Sequence, residues 1–444
     1  MQVYKCLAGL VAAAASVAAG AQFAVPDTIQ TRTLDNGLKI IVWPDHDIPN
    51  VALYNFVRAG GRNEVPGISG LSHFFEHMMF NGTSTRAPGE FDRVMEANGG
   101  SNNAFTSNDL TVYQDWFPSS AIDVIFDLEA DRLANLSFDP KVVQSERGVV
   151  TSERRSSVDN SPFGTLYELT QATAFVAHPY HLPVIGWPSD IATWTIEDLK
   201  SYFTTYYAPN NCTLVLVGDV EPEAVFALAE RTLGPIPAQA PPPTVRTQEP
   251  PQLGERRLFI ERDVQTALLA VAYKSPPAND PGGPAIDMLM SALSDGESSR
   301  LYRALVEPGH AIDVDTYRHE GFDPGLTWFF LTLPPGADPA DVERRLDDVL
   351  ITAVEEGITA AELARAKRNV VASFYRGLAT INGKARALGT FEVFHGSYEA
   401  LFAAPEQYAA ITLAEVRNAA EQLFDSRQRT VGLLAPAPAT EEGK

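Results

Sequence analysis

Three residues within five positions, His73, Glu76 and His77, are of the types that together carry out metal-assisted hydrolysis. On a helix at about 100° per residue, His73 and His77 lie one turn apart, and Glu76, three positions from His73, falls in the same arc. Two imidazoles one turn apart clamp a divalent ion, and a carboxylate beside them can take a proton from a water that the ion polarises. The other residues of 71–80 are Leu, Ser, Phe, Phe, Met, Met and Phe, so the trio sits in an otherwise apolar helix. Desolvating such groups is unfavourable unless something compensates them, and a metal would. The competing reading, a core histidine bonded to a carbonyl, is left open by the motif alone.

A second pair of acids stands further along. Asp139-Pro140 reads as the cap and first residue of a helix that runs to about Ser156. Glu146 and Glu153 are seven apart, two turns, and share one face flanked by valines. Taken alone, they read as surface acids paired with Arg147, Arg154 and Arg155, though the flanking valines are unusual for acids meant for solvent.

The elements that must position these groups follow from turn and periodicity signals. Residues 31–57 read as a hairpin about Asn36-Gly37 followed by a further strand. Residues 90–98 read as a short helix closed by Gly99-Gly100, and 101–116 as an edge strand or hairpin. Helices over 121–136, 199–207 and 222–233 and a buried strand over 212–219 complete the first half. A proline-rich stretch, 235–256, reads as a linker. Beyond it, strands over 257–273, helices over 285–293 and 299–305, and strands over 311–318 and 325–333 repeat the order. Helices over 340–356 and 360–374 and a last strand near 430–434 follow. The fold class is α+β, two similar domains of about 200 residues, each a mainly antiparallel sheet covered by helices. The expected limits are 22–234 and 257–444, and the second copy has no H-x-x-E-H.

At 444 residues the chain is too long for one core, while 45% hydrophobic and 20% charged residues permit large ones. Lys5, the alanine-rich run 7–19 and Ala19-Gly20-Ala21 read as a signal peptide over 1–21, hence export, to the periplasm if bacterial. Its removal leaves Cys212 as the sole cysteine, so no internal disulfide forms. Losing Lys5 also takes the formal charge from −22 to −23, which argues against nucleic acid and anionic membranes as partners. Asn81, Asn135 and Asn211 head N-x-S/T triplets, which matter only on a eukaryotic secretory route.

With these stretches assembled, the chain resembles the M16 family of zinc peptidases, the pitrilysin and mitochondrial processing peptidase group, whose H-x-x-E-H string defines the inverzincins. In that family a third ligand, a glutamate, follows the second histidine by about 76 residues, and Glu153 stands 76 after His77. Matching flanks include Asn103-Ala104-Phe105-Thr106, His178-Pro179-Tyr180, Tyr206-Tyr207-Ala208-Pro209-Asn210-Asn211 and Val217-Gly218-Asp219. The resemblance spans about residues 30–435 and is looser in the second half.

The resemblance implies one half of a clam-like shell and a zinc endopeptidase. His73, His77 and Glu153 would hold one Zn²⁺ and Glu76 would be the general base. Glu146 would support a ligand or the proton traffic, and Asn103 and Ala104 would pair with an extended substrate. The chain also departs from the family. Val306 stands where an arginine is expected, and Ile312 or Asp313 where a tyrosine is expected. The expected assembly is therefore a heterodimer whose M16-like partner supplies the Arg/Tyr pair. A non-catalytic peptide-binding or scaffold subunit is the alternative.

Overall fold

Asn36-Gly37 makes the first reversal, with Gly37 at φ 85°, a conformation only glycine adopts freely. The computed structural model describes residues 24–437, so the signal peptide read at 1–21 lies outside the described residues. The first half contains strands β1 (Gln30–Thr33), β2 (Lys39–Pro44), β3 (Asn50–Val57), β4 (Ser101–Thr106), β5 (Thr111–Pro118) and β6 (Cys212–Gly218). Its helices are α1 (Leu71–Met78), α2 (Glu90–Ala97), α3 (Ile122–Asn135), α4 (Pro140–Arg154), α5 (Pro162–Ala174), α6 (Pro188–Thr193), α7 (Ile196–Tyr206) and α8 (Pro222–Thr232). The second half has β7 (Arg256–Arg262), β8 (Leu268–Ser275), β9 (Asp313–Arg318), β10 (Gly325–Thr332) and β11 (Arg429–Pro436). With them go α9 (Gly283–Ser294), α10 (Pro339–Glu355), α11 (Ala360–Gly377), α12 (Ile381–His395), α13 (Ala400–Ala410) and α14 (Leu413–Leu423).

The two sheets run β1-β2-β6-β3-β5-β4 and β7-β11-β8-β10-β9. Leaving β1 aside, the second repeats the first strand for strand, including the one parallel pair in each, β2–β6 and β7–β11. This is the expected α+β duplication. Strand β3 does not continue the β1–β2 hairpin, because β6 lies between β2 and β3. All seven residues of β6 are buried, so it belongs inside a sheet covered on both faces.

Two helices that the sequence did not announce tie the halves together. Helix α5 lies on the second sheet, with Leu166 and Ala174 among Ala270, Ala272, Trp328 and Leu434. Helix α12 lies on the first, with Ala385 and Leu388 among Tyr54, Phe56, Val215 and Val217. Both begin alike: Ser161 Oγ accepts from the Gly164 amide and Thr380 Oγ1 from the Gly383 amide, each at 3.0 Å. A Cβ on Gly164 would come 2.0 Å from Ser157 O, and one on Gly383 1.8 Å from Gly377 O, so each helix starts hard against the end of the preceding one.

Three further expectations are refined. Residues 299–305 hold a π-turn, Tyr302–Val306, in place of most of the expected α-helix. The proline-rich 235–256 segment is strapped down: Glu249 accepts from the amides of Val176, Ala177 and His178 at 2.9–3.1 Å, and Gln252 donates to Arg429 O. Asn211 is buried, with its amide donating to Tyr206 O and Arg58 O, so that triplet is closed to modification in the folded chain.

Candidate metal centre

Helix α1 has no side chain to cap it, since Gly70 stands at the cap position. Glu64 does that work from six residues upstream, accepting from the Gly70 amide at 2.6 Å and the Ser72 amide at 2.7 Å. Burial pushes Glu64 up to about 8 against the pull of those two donors. Gly70 is required here, because φ is 87° and a Cβ would lie 2.5 Å from Ile185 O. Leu71, Phe74, Phe75 and Met78 bury one face of α1 in the first core, where Phe75 stacks on Tyr202 and Phe74 meets Trp194. Tyr113 pins the same helix by donating to Phe75 O at 2.9 Å.

The opposite face carries the polar trio towards α4. Asp139 caps α4, accepting from the Lys141 and Val142 amides, and Val143 and Val150 anchor it. Glu153 lies 3.5 Å from His73 Nε2 and 3.3 Å from His77 Nε2. One ligand atom from each of His73, His77 and Glu153 falls within 4.8 Å of the others, the only such group of three among the described residues. Glu146, one turn pair earlier, accepts from His77 Nδ1 at 2.8 Å. With Nδ1–H donated there, Nε2 is the nitrogen that faces Glu153 and that takes an ion once it gives up its proton. His73 Nδ1 is buried without a partner.

The electrostatics agree with a cation site. Burial lowers the His77 imidazole, but Glu146 and Glu153 outweigh it and hold it up at about 9. His73 and His77 keep Glu153 well below the usual carboxylate range. Two of the arginines that offered an alternative are engaged elsewhere. Arg154 makes a buried bidentate pair with Glu168 at 2.7 and 2.8 Å, and Arg147 donates to Gln144 and Trp194 O. Glu146 and Glu153 are thus site-facing acids and not surface partners of those arginines.

Glu76 shares that face of α1 but is hydrogen-bonded to none of His73, His77 and Glu153; Thr106 Oγ1 donates to its Oε2 at 2.6 Å. Asn103 and Ala104 sit on β4, the edge strand, whose outer side has no strand partner among the described residues. A cavity of about 370 Å³ opens beside His73 and Glu153, walled by Val158, Phe163, Tyr167 and Val184. Val306 ends the Tyr302–Val306 turn, and Ile312 is exposed just before β9; neither side chain can donate a hydrogen bond. Sequence reading gave Glu64 and Thr106 no role. Nothing local marks Glu64, whereas Thr106 was visible as part of a matching flank.

Family models described as "Insulinase (Peptidase family M16)" and "Peptidase M16 inactive domain" match residues 41–186 and 193–370. The zinc protease PqqE of Helicobacter pylori is 31% identical over 410 residues, which is 91% of this chain and 92% of that protein. The chain belongs to peptidase family M16. An uncharacterized zinc protease of Bacillus subtilis, YmxG, is 26% identical over 92% of this chain and 98% of its own. Among solved structures, a protease from Helicobacter pylori superposes with a TM-score of 0.89 at 30% identity, over 92% of this chain and 99% of that one. The insulinase match spans His73 to Glu153, and the "inactive" match begins in the first half, at 193, and contains no H-x-x-E-H.

Proposed function

We propose that this M16 chain is a zinc-dependent endopeptidase in which His73, His77 and Glu153 hold the ion. The observation that carries this is the convergence of their three ligand atoms within 4.8 Å, with Glu146 holding His77 Nδ1 so that Nε2 faces inward. Zinc, when bound, supplies a Lewis acid that polarises the scissile carbonyl and acidifies a water. Glu76 takes the proton of the attacking water and passes it to the leaving amine. Asn103 and Ala104 present the open side of β4 to an extended peptide, which adds as a further strand. A partner M16-like chain supplies the arginine and tyrosine that Val306 and Ile312 cannot replace. The Escherichia coli periplasmic protease PqqL supports this arrangement. This chain covers 48% of its length, at 20% identity and a TM-score of 0.75, so one fold unit here corresponds to half of that molecule. Export to a periplasm belongs to the same proposal and is tested by N-terminal sequencing of the mature protein.

The decisive experiment compares the wild type with Glu76→Gln on an internally quenched peptide. The variant should bind one zinc and lose at least about 100-fold in kcat. An unaltered rate would sink the mechanism. A non-catalytic peptide-binding subunit is the second reading, favoured by the Val306 and Ile312 departures and by the "inactive domain" match. Stoichiometric zinc without cleavage, in the presence of any M16-like partner bearing the Arg/Tyr pair, would select it.

A further inference from the structure

We propose that Thr106 is the positioning residue for Glu76, so that the strand that receives the substrate also holds the base. The inference rests on Glu76 acting as the general base. A glutamate on a helix has three rotatable torsions, and nothing else in the described hydrogen bonds restrains this one. The Thr106 hydroxyl donates to Oε2 at 2.6 Å, a short charge-assisted bond that leaves Oε1 for a water.

Thr106 itself is held from three directions. It is the last residue of β4 and pairs with Thr111 where the β4–β5 hairpin closes. Inside that turn Ser107 N donates to Leu110 O, and Ser107 Oγ accepts from the amides of Asp109 and Leu110. Asp109, almost fully buried, then fastens the turn to the rest of the molecule. Tyr180 donates to its Oδ1 at 2.7 Å, and the Phe322 amide of the second half donates to the same oxygen at 3.3 Å. The route from the second half runs through Asp109 and the turn to Thr106, and from there to the carboxylate that must face the water. Since β4 is also the open edge of its sheet, a peptide that pairs at Asn103 and Ala104 lies on the strand whose last side chain aims the base.

Thr106→Val removes the hydroxyl at nearly constant volume, and Thr106→Ser keeps the donor. Steady-state kinetics, zinc content and a crystal structure of each variant, with Glu76→Gln as control, test the assignment. The expected result for Thr106→Val is full zinc content, a kcat lower by about 10- to 100-fold, a KM within about twofold, and a Glu76 carboxylate moved from its present place. Thr106→Ser should restore kcat to within about threefold. Should Thr106→Val not fold, Thr106→Ala carries the same comparison. An inactive Glu76→Gln alongside a fully active Thr106→Val overturns the positioning role and leaves the base assignment standing. A change confined to KM, or a Thr106→Ser as slow as Thr106→Val, also overturns it. An active Glu76→Gln removes the base assignment and this inference with it.

Discussion

Zinc affinity should depend on pH far more steeply than an ordinary histidine site allows. His77 must be neutral at Nε2 to take an ion, yet Glu146 at 2.8 Å and Glu153 at 3.3 Å hold its imidazole at about 9 in the metal-free protein. At pH 7 only about one molecule in a hundred then has a free lone pair, and at pH 9 about half do. Apparent affinity should rise about tenfold between pH 7 and 8 and by a few tens of fold between pH 7 and 9, or about 2 kcal/mol. An imidazole at the ordinary value of about 6.5 would give less than twofold over the same interval. The metal-free fold should show the opposite trend. A pKa raised on folding contributes stability that is fully present below about 6.5 and lost as pH climbs through about 9, here about 3 kcal/mol. The assay is competition against a chelator of known protonation, paired with urea unfolding of the metal-free protein at each pH. Glu146→Gln, which removes one of the two carboxylates, should move both breaks to lower pH. An affinity that is flat from pH 7 to 8 after correction for the chelator would refute the reasoning.

Two predictions concern the exchange of helices between halves. Gly389 on α12 faces Phe56 of the first sheet so closely that a Cβ would come 1.9 Å from the ring. Gly389→Ala should destabilise by about 1–3 kcal/mol and loosen α12, read by hydrogen exchange across Ile381–His395; unchanged protection there would count against the packing account. Glu168→Ala should leave the Arg154 guanidinium buried with Gly186 O and the more distant Asp159 as its remaining partners. The cost should be about 3 kcal/mol in denaturant unfolding, and because Arg154 adjoins Glu153 the zinc affinity should fall with it. A loss under about 1 kcal/mol would mean that water satisfies the arginine.

The local half of the site was legible because a helix obeys one period. His73 and His77 meet at i and i+4 whatever surrounds them, and Glu146 and Glu153 share a face for the same reason. The β1–β2 hairpin was equally local, written in Asn36-Gly37. Beyond such ranges the signals thinned. The Ser161 and Thr380 caps are short and polar, and what they open, α5 and α12, is only weakly amphipathic, although each packs on the other half's sheet. No pattern within a segment says which sheet will cover it. Strand β3 shows the same limit, since its apolar run promised a strand but not that β6 would part it from β2.

By itself, then, the sequence determined the pair of histidines, the acid between them and the repeated order of elements, because side chains a turn apart are related by covalent geometry. Only the tertiary structure decided that Glu153 closes on both histidines and that Glu146 sets the tautomer of His77. It also decided that Glu64 caps α1 and that Thr106 reaches Glu76. Those contacts join residues six to 80 positions apart. Contacts between separate elements exist because α1, α4 and β4 are packed on a common core, and packing is a property of the whole chain.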